Sequence, residues 1–387
     1  MQIRYGRFDR LLGRQSNKRD MENKPEASYF VPTTSKTLDI LESFHTVGEE
    51  LTLEEIISRA KVPRTTAFRI LYTLEQRRYV TRRGKRYRLN STRKKIRVGF
   101  GSLTSELAFA QVVTASLTEA AAAAGIDLFV MDNHRDPQAA IQNARRMVAE
   151  NVDVAIEFQR HVDVSPVIAD IFGTAGIPLI AVHIPHPGAI YFGVDNYKSG
   201  YAAGAALAEF AQTHWDGHVD LVVLLDIPEG GIVLQSRMTG ALRSMEATMG
   251  PLPRERVLRV GGGGERALAR SAMATILATH PDARHILVSA CSDDGALGAM
   301  DEVLAANRSR DAAIVGMEGS AEALAMVAKA DSPFIGSVAF YPEQYGPALV
   351  DLVLRLVNGE QVPPFRYVNH ELIGREKAAQ TLASAGG

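Results

Sequence analysis

The chain reads as an α/β protein: an N-terminal winged helix-turn-helix followed by a two-lobed, Rossmann-like domain. Three observations predict this. Seven apolar strand-like runs alternate with Ala-rich amphipathic segments over the last 290 or so residues, which is βαβ architecture. Ahead of them lie three short helical patterns and a basic hairpin. The total of 387 residues exceeds what one hydrophobic core sustains, so more than one domain is required.

The net charge of −1 conceals a basic head on an acidic body. Residues 1–95 hold 22 Lys+Arg against 11 Asp+Glu, leaving 21 against 33 for the remainder. A basic head binds a polyanion through counterion release; an acidic body is repelled by one, so the two parts serve different partners. The single cysteine, Cys291, excludes an internal disulfide. No run of 18 apolar residues is present, and "MQIRYGRFDRLLGRQSNKRD" is basic without the apolar core of a signal peptide, so the expected location is cytoplasmic, with no membrane partner. Residues 1–32 read as a basic disordered tail, within which Met21 offers a second start.

In the head, a Thr/Ser cap near Thr33 opens a first helix whose Leu38, Leu41 and Phe44 form an apolar stripe. Thr52 and Glu55 have the spacing of a capping box ahead of Ile56, Ile57 and Ala60, the second helix. After "AKVP", Pro63 suits the first turn of a third helix, in which Ala67, Ile70, Leu71 and Leu74 form the buried stripe. Its other face carries Arg64, Thr65, Thr66, Phe68, Arg69 and Tyr72, hydroxyls and guanidinium groups suited to phosphates and guanine edges. A merely solvated face more often carries Glu and Lys. Two short extended runs then flank Arg83-Gly84-Lys85, with five Lys/Arg from Arg82 to Arg88 including Arg86. A basic hairpin beside such a helix makes a wing.

Residues 34–89, through "TLDILESF", "LTLEEIISRAKVPRTTAFRILYTLEQRRYV" and "RYRL", resemble the DNA-binding domain of the isocitrate-lyase-regulator (IclR) type of bacterial transcription factors. The resemblance implies that the helix after "VPRTT" enters a major groove, with Arg64, Thr65, Thr66 and Arg69 at the bases. The wing, Arg82, Arg83, Lys85 and Arg86, is then expected to follow the phosphates. The winged domain is placed at 33–89.

A polar linker, residues 90–95, leads to the body. Its strand-like runs are "IRVGFGS", "IDLFVMD", "VDVAIEF", "IPLIAVHI", "VDLVVLLD", "HILVSAC" and "AAIVGME", continuous apolar stretches of the buried parallel kind. So many units suit two lobes facing a cleft, with ligands at the carboxyl ends of the strands.

"GIPLIAVHI", "FGVDNYKSGYAAGAALAEF", "QSRMTGA", "SDDGALGAM" and "IVGMEG" together resemble type I periplasmic binding proteins of the ribose-binding kind, whose fold also forms the effector domain of lactose-repressor-type regulators. The resemblance covers about 96–375. It implies a first lobe at about 96–195 with a return at 341–369, a second at about 196–339, three crossovers, and a tail at 376–387. It places Phe109, His183, Arg237, Ser292, Asp293, Glu318 and Phe340 in the cleft. Carboxylates and an Arg share hydroxyl hydrogen bonds while aromatic faces cover the apolar side of a sugar ring, so the expected effector is a sugar, sugar acid or polyol. His183-Ile184 replaces the Asp-Arg pair of ribose binders, Ser292 replaces an Asn and Glu318 an Asp, so ribose itself is not implied.

Other motifs read as structural. "VGGGGER" lacks the Gly-Lys-Ser/Thr ending of a phosphate loop and reads as a flexible turn. His183 and His186 in "HIPHPG" have no third ligand to make a metal site, and Cys291 and Ser292 have no His base for catalysis. Trp215, in polar "THWDGH", is placed at the surface. No cofactor, metal or catalytic set is expected. The reading is a ligand-responsive regulator that binds double-stranded operator DNA as a homodimer, effector binding closing the lobes and shifting the heads. The alternatives are an exported solute-binding transport receptor, which needs an export signal, and a Rossmann-type enzyme, which needs a cofactor fingerprint and an acid/base pair.

Overall fold

The computed structural model describes residues 30–45, 49–77, 79–89 and 96–385, so the expectations for residues 1–29 and the linker 90–95 lie outside the described residues. The chain divides into two compact units, residues 1–94 and 95–387.

The first unit contains α1 (Pro32–Glu42), β1 (Glu50–Thr52), α2 (Leu53–Ala60), α3 (Arg64–Gln76), β2 (Val80–Arg83) and β3 (Arg86–Leu89). The Thr52–Glu55 capping box forms, Thr52 accepting from the Glu55 backbone while the Glu55 carboxylate receives the Thr52 N–H at 2.7 Å. The α3 stripe Ala67, Ile70, Leu71 and Leu74 is buried, and Pro63 is the N-cap rather than a helical residue. The α1 stripe is rotated from the expected one: the helix turns Ile40 into the core shared with α2 and α3 and leaves Leu38 exposed, while Phe44, expected on the stripe, is buried just beyond the end of the helix. The hairpin turns at Gly84, with φ +61°, a value that costs glycine nothing. Strand β1, not foreseen, pairs antiparallel with β3, giving the sheet order β1-β3-β2.

The second unit has two six-stranded sheets. Lobe 1 is built from β4 (Arg97–Ser102), α4 (Ala108–Ala123), β5 (Asp127–Asp132), α5 (Pro137–Ala149), β6 (Val154–Phe158), α6 (Ser165–Thr174), β7 (Leu179–Val182) and β8 (Ile190–Val194). Lobe 2 follows with α7 (Asn196–His214), β9 (Leu221–Leu225), α8 (Gly231–Met249), β10 (Val257–Val260), α9 (Arg266–Thr279), β11 (Ile286–Ala290), α10 (Asp293–Ala305), β12 (Ala312–Glu318), α11 (Ala321–Val327) and β13 (Phe334–Ala339). The chain returns to lobe 1 with α12 (Tyr345–Val357) and β14 (Phe365–Val368), then to lobe 2 with β15 (Glu371–Gly374) and α13 (Arg375–Ala385). Lobe 1 has the all-parallel order β14-β8-β7-β6-β4-β5; lobe 2 has β10-β9-β11-β12-β13-β15, with β15 antiparallel. The chain therefore crosses between lobes three times, after β8, β13 and β14.

The central strands β6, β9 and β11 are buried at every residue, as continuous apolar runs covered by helices on both faces must be. Residues 376–385, read as tail, form most of α13, because Ala378 is fully buried in the lobe 2 core beside Ile373. Trp215 is partly buried rather than superficial, its ring lying edge-on 5.2 Å from Phe210. Helices α7 and α8 approach so closely that a Cβ on Gly200 would lie 1.8 Å from the Arg237 carbonyl oxygen, and one on Gly240 2.1 Å from that of Tyr197. This contact brings Arg237 onto the chain crossover at Asn196.

Candidate functional site

Every wall of the interlobe cavity comes from the carboxyl end of a strand or the first turns of the helix behind it, where parallel α/β sheets place ligands. Lobe 1 contributes Leu103 and Leu107 after β4, Phe109 and Ala110 on α4, Phe158, Gln159 and Arg160 after β6, and His183 and Ile184 after β7. Lobe 2 contributes Ile227 after β9, Leu234 and Arg237 on α8, Gly264, Ser292, Asp294 and Glu318; Phe340 lies at the second crossover. The cavity is about 70 Å³, space for roughly five waters at about 10–15 Å³ each.

Phe109, His183, Arg237, Ser292, Glu318 and Phe340, six of the seven cleft residues read from the sequence, line this one cavity. Asp293 does not. It is buried behind the wall, its Oδ2 accepting from the Ser320 N–H and its Oδ1 from the Ser337 hydroxyl, both at 2.6 Å. Asp293 holds the β12–α11 turn against β13, and Asp294 is the residue that reaches the cavity. Ser292 is also engaged: its hydroxyl donates to the Gly263 carbonyl at 2.6 Å and accepts from the Gly295 N–H at 3.1 Å, capping α10. The "VGGGGER" stretch is a packed turn rather than a loose one, since a Cβ on Gly263 would lie 2.2 Å from the Leu225 carbonyl oxygen.

Arg237 is buried, its Nε donating to Asn196 Oδ1 at 2.7 Å and its Nη1 to the Cys291 carbonyl at 2.8 Å. Its guanidinium lies 4.9 Å from the centroid of the Phe340 ring. Among the described residues no carboxylate pairs with it and Nη2 has no acceptor. His183 sits in a ring cluster, 5.6 Å from both Phe109 and Phe158 and 5.7 Å from Tyr345. Its Nε2 is 3.2 Å from the Tyr345 hydroxyl and its buried Nδ1 has no partner. Burial, with the Arg237 charge nearby, pushes the imidazole down to about 3, so it is neutral. Burial pushes Asp293 up to about 7 against the serine hydrogen bonds, and holds Glu318 well above the carboxylate range, with Asp293 and Asp294 adding to the shift. His183 and Glu318 have φ of +63° and +119°, conformations disfavoured for these residue types and held by the surrounding strand ends.

Across the mouth of the cleft, Arg160 of lobe 1 donates from Nη2 to Glu265 Oε1 at 2.6 Å, and its Nε lies 3.4 Å from Glu229. Arg135 lies 3.7 Å from the same Glu265 oxygen. Sequence reasoning missed this bridge, as it missed Leu103, Leu107, Phe158 and Asp294. Phe158 and Arg160 had a usable signal, their position immediately at the end of the run "VDVAIEF".

In the first unit, Arg64, Thr65, Phe68 and Arg69 of α3 and Arg82 and Lys85 of the hairpin border one surface depression. Phe68 and Tyr72 are exposed, and Arg69, Arg82, Arg83 and Lys85 form no ion pair among the described residues. Arg82 packs 5.5 Å from the Tyr87 ring centroid with its Nε on the Gly84 carbonyl, which orients the turn. Two predicted residues are already engaged: Arg64 pairs with Glu54, and Arg86 donates to the Glu50 carbonyl at 2.9 Å, tying the wing to β1. Thr66 is half-buried and borders a second depression with Lys36 and Thr37 of α1, which the sequence did not single out, and with Thr33, expected near the helix cap, a position that Val31 takes without a side-chain cap.

The fold and its two surfaces define a two-lobed α/β binding domain preceded by a winged helix. A family model described as periplasmic binding protein domain matches residues 98–361, more than half of the chain, and the protein belongs to that family; the IclR helix-turn-helix domain matches residues 33–84. No curated protein matches the chain. Among solved structures, an ABC transporter solute binding protein from Mycobacterium smegmatis with bound glycerol is 23% identical with a TM-score of 0.65, over 74% of this chain and 97% of that one. One from Agrobacterium vitis with bound allitol is 19% identical, TM-score 0.67, over 75% and 99%. One from Actinobacillus succinogenes 130z with bound D-allose is 20% identical, TM-score 0.64, over 74% and 100%. At these identities the likeness is one of fold.

Proposed function

We propose that the protein is a ligand-responsive transcriptional regulator of the cytoplasm. Its winged helix binds operator DNA as a homodimer, and its interlobe cleft senses a small polyhydroxylated effector. The observation that carries this reading is the pairing, in one chain, of a cationic surface on α3 and the wing, where Arg69, Arg82, Arg83 and Lys85 form no ion pair among the described residues, with a strand-end cavity around Arg237. A transport receptor accounts for the cleft but leaves the α3–wing surface without a partner. In the proposed contacts, Arg69 and Thr65 read base edges, Phe68 and Tyr72 meet thymine methyls, and Arg82, Arg83 and Lys85 follow phosphates. Effector hydroxyls are gripped by Arg237, Glu318 and Asp294, and the apolar ring face lies on Phe109 and Phe340. Homodimerisation follows from the limited specificity of a single recognition helix.

The test is a salt series of DNA binding, using the promoter fragment upstream of the protein's own coding sequence against a scrambled fragment, repeated with a panel of sugars and polyols. Sequence-preferring binding that falls steeply with salt, and that one compound shifts, supports the regulator. Binding absent at low salt sinks the DNA-binding half. Binding that no compound in the panel shifts sinks the effector half.

A further inference from the structure

The polar groups still available to a ligand are not distributed around the cavity but confined to one of its sides. In lobe 2, among the described residues, Arg237 Nη2 has no acceptor, the Asp294 carboxylate makes no hydrogen bond or ion pair, and the Glu318 carboxyl meets only the Asp293 backbone. In lobe 1 the polar atoms of the liners are either engaged or buried out of reach of the cavity. Gln159 donates to the Ser165 hydroxyl at 3.2 Å and accepts from the His161 N–H, and Arg160 is held by Glu265 and Glu229. His183 spends Nε2 on Tyr345, its unpaired Nδ1 is buried on the side of Gly193 and closed to the cavity, and what it presents is a neutral ring inside an aromatic cluster. The rest of that wall is Leu103, Leu107, Phe109, Ala110, Phe158 and Ile184.

From this asymmetry we infer that the effector is polar on one edge only: adjacent hydroxyls face lobe 2, and a deoxygenated, hydrocarbon edge faces lobe 1. The class is a deoxy sugar or a polyol ending in a methyl group, rather than a fully hydroxylated sugar. The inference rests on the effector reading above and narrows it. A hydroxyl set against the lobe 1 wall surrenders its water without a replacement, which weakens binding by roughly 5- to 150-fold per group. A methyl or methylene in that place gains apolar contact instead.

The experiment is calorimetric titration of the full chain with matched pairs differing by one oxygen: L-fucose and L-galactose, L-rhamnose and L-mannose, 5-deoxy-D-ribose and D-ribose, 1,2-propanediol and glycerol. The expected result is that in at least one pair the deoxy member binds at least tenfold more tightly. Equal or tighter binding of the hydroxylated member in every pair that binds overturns the inference while leaving a carbohydrate effector standing. Silence from all eight compounds overturns the effector reading beneath it. Leu103→Asn, which sets an amide on the lobe 1 wall, is expected to narrow the ratio in the responding pair to within about threefold; an unchanged ratio shows that the wall does not meet the discriminating edge, and the inference fails.

Discussion

Replacing Glu157 by Gln tests the electrostatics of lobe 1 without any ligand. Glu157 is fully buried at the carboxyl end of β6, its Oε1 accepting from Asn133 Nδ2 at 2.7 Å and its Oε2 lacking any partner. Burial pushes the carboxyl up to about 8, the Asn133 hydrogen bond opposing, from an ordinary value of 4.5. Between those two values the unfolded chain is ionised and the folded chain keeps the proton, so the folded state binds more protons and this group makes stability fall as pH rises. The slope is about 1.4 kcal/mol per pH unit, or roughly 3 kcal/mol between pH 5.5 and 7.5. Gln retains the acceptor for Asn133 but adds a second buried donor where Oε2 stood, at a cost of about 1 kcal/mol. At pH 5.5, one unit above the ordinary value, the parent has already lost about 1 kcal/mol, which offsets the Gln cost, so E157Q is expected to match the parent there and to be clearly more stable at 7.5. Asp293 and Glu318 act with the same sign as Glu157, whereas His183 and His186, pushed down to about 3 and about 4 by burial, remove stability as pH falls below the ordinary histidine range. All four are common to both proteins and cancel in the difference. Urea unfolding followed by the fluorescence of Trp215, the single tryptophan, reports this unit directly. Parallel pH profiles for the two proteins would refute the assignment of a buried, protonated carboxyl.

Gly200→Ala forces a Cβ against the Arg237 carbonyl at 1.8 Å and is expected to cost about 1–3 kcal/mol or more; Gly173→Ala, in open space within α6, is expected to gain up to about 1 kcal/mol, and thermal melts compare the two. Arg160→Ala removes the partly buried bridge to Glu265 and Glu229 and is expected to weaken effector binding by roughly fivefold, about 1 kcal/mol, with the loss shrinking at high salt; an effect independent of salt contradicts an ionic latch. Arg69→Ala is expected to cost about 1–3 kcal/mol on the preferred DNA and little on scrambled DNA, while Lys85→Ala weakens both and lowers the salt slope by about one; anisotropy titrations separate the outcomes.

Sequence alone determined the fold class and most of the elements that carry the sites, because those signals are local. The Thr52–Glu55 capping box, the α3 stripe Ala67-Ile70-Leu71-Leu74 and the runs that became β6, β9 and β11 are set by spacing and apolar continuity within a few residues. Strands β10, β14 and β15, four residues each and at sheet edges, carried weaker local signals and exist because a neighbouring strand pairs with them; the interior strands β8 and β13 were not singled out. Residues 376–387 looked like a tail for a related reason: what fixes α13 is a core contact made by Ala378, and most of its partners are distant in sequence.

At the cleft, residue types and their strand-end positions were legible, but orientation was not. Asp293 and Asp294 are adjacent and chemically identical. Only the rotation of α10, fixed by the Ser292 cap and by Ser320 and Ser337, decides that the first is locked in the core and the second reaches the cavity. Likewise, only tertiary structure shows that Gln159 and Arg160 are occupied by other side chains while Arg237 retains a free nitrogen. A hydrogen bond consumed by a residue 100 positions away leaves no trace in local spacing, and it is this distribution of used and unused polar groups that gives the cleft its one-sided chemistry.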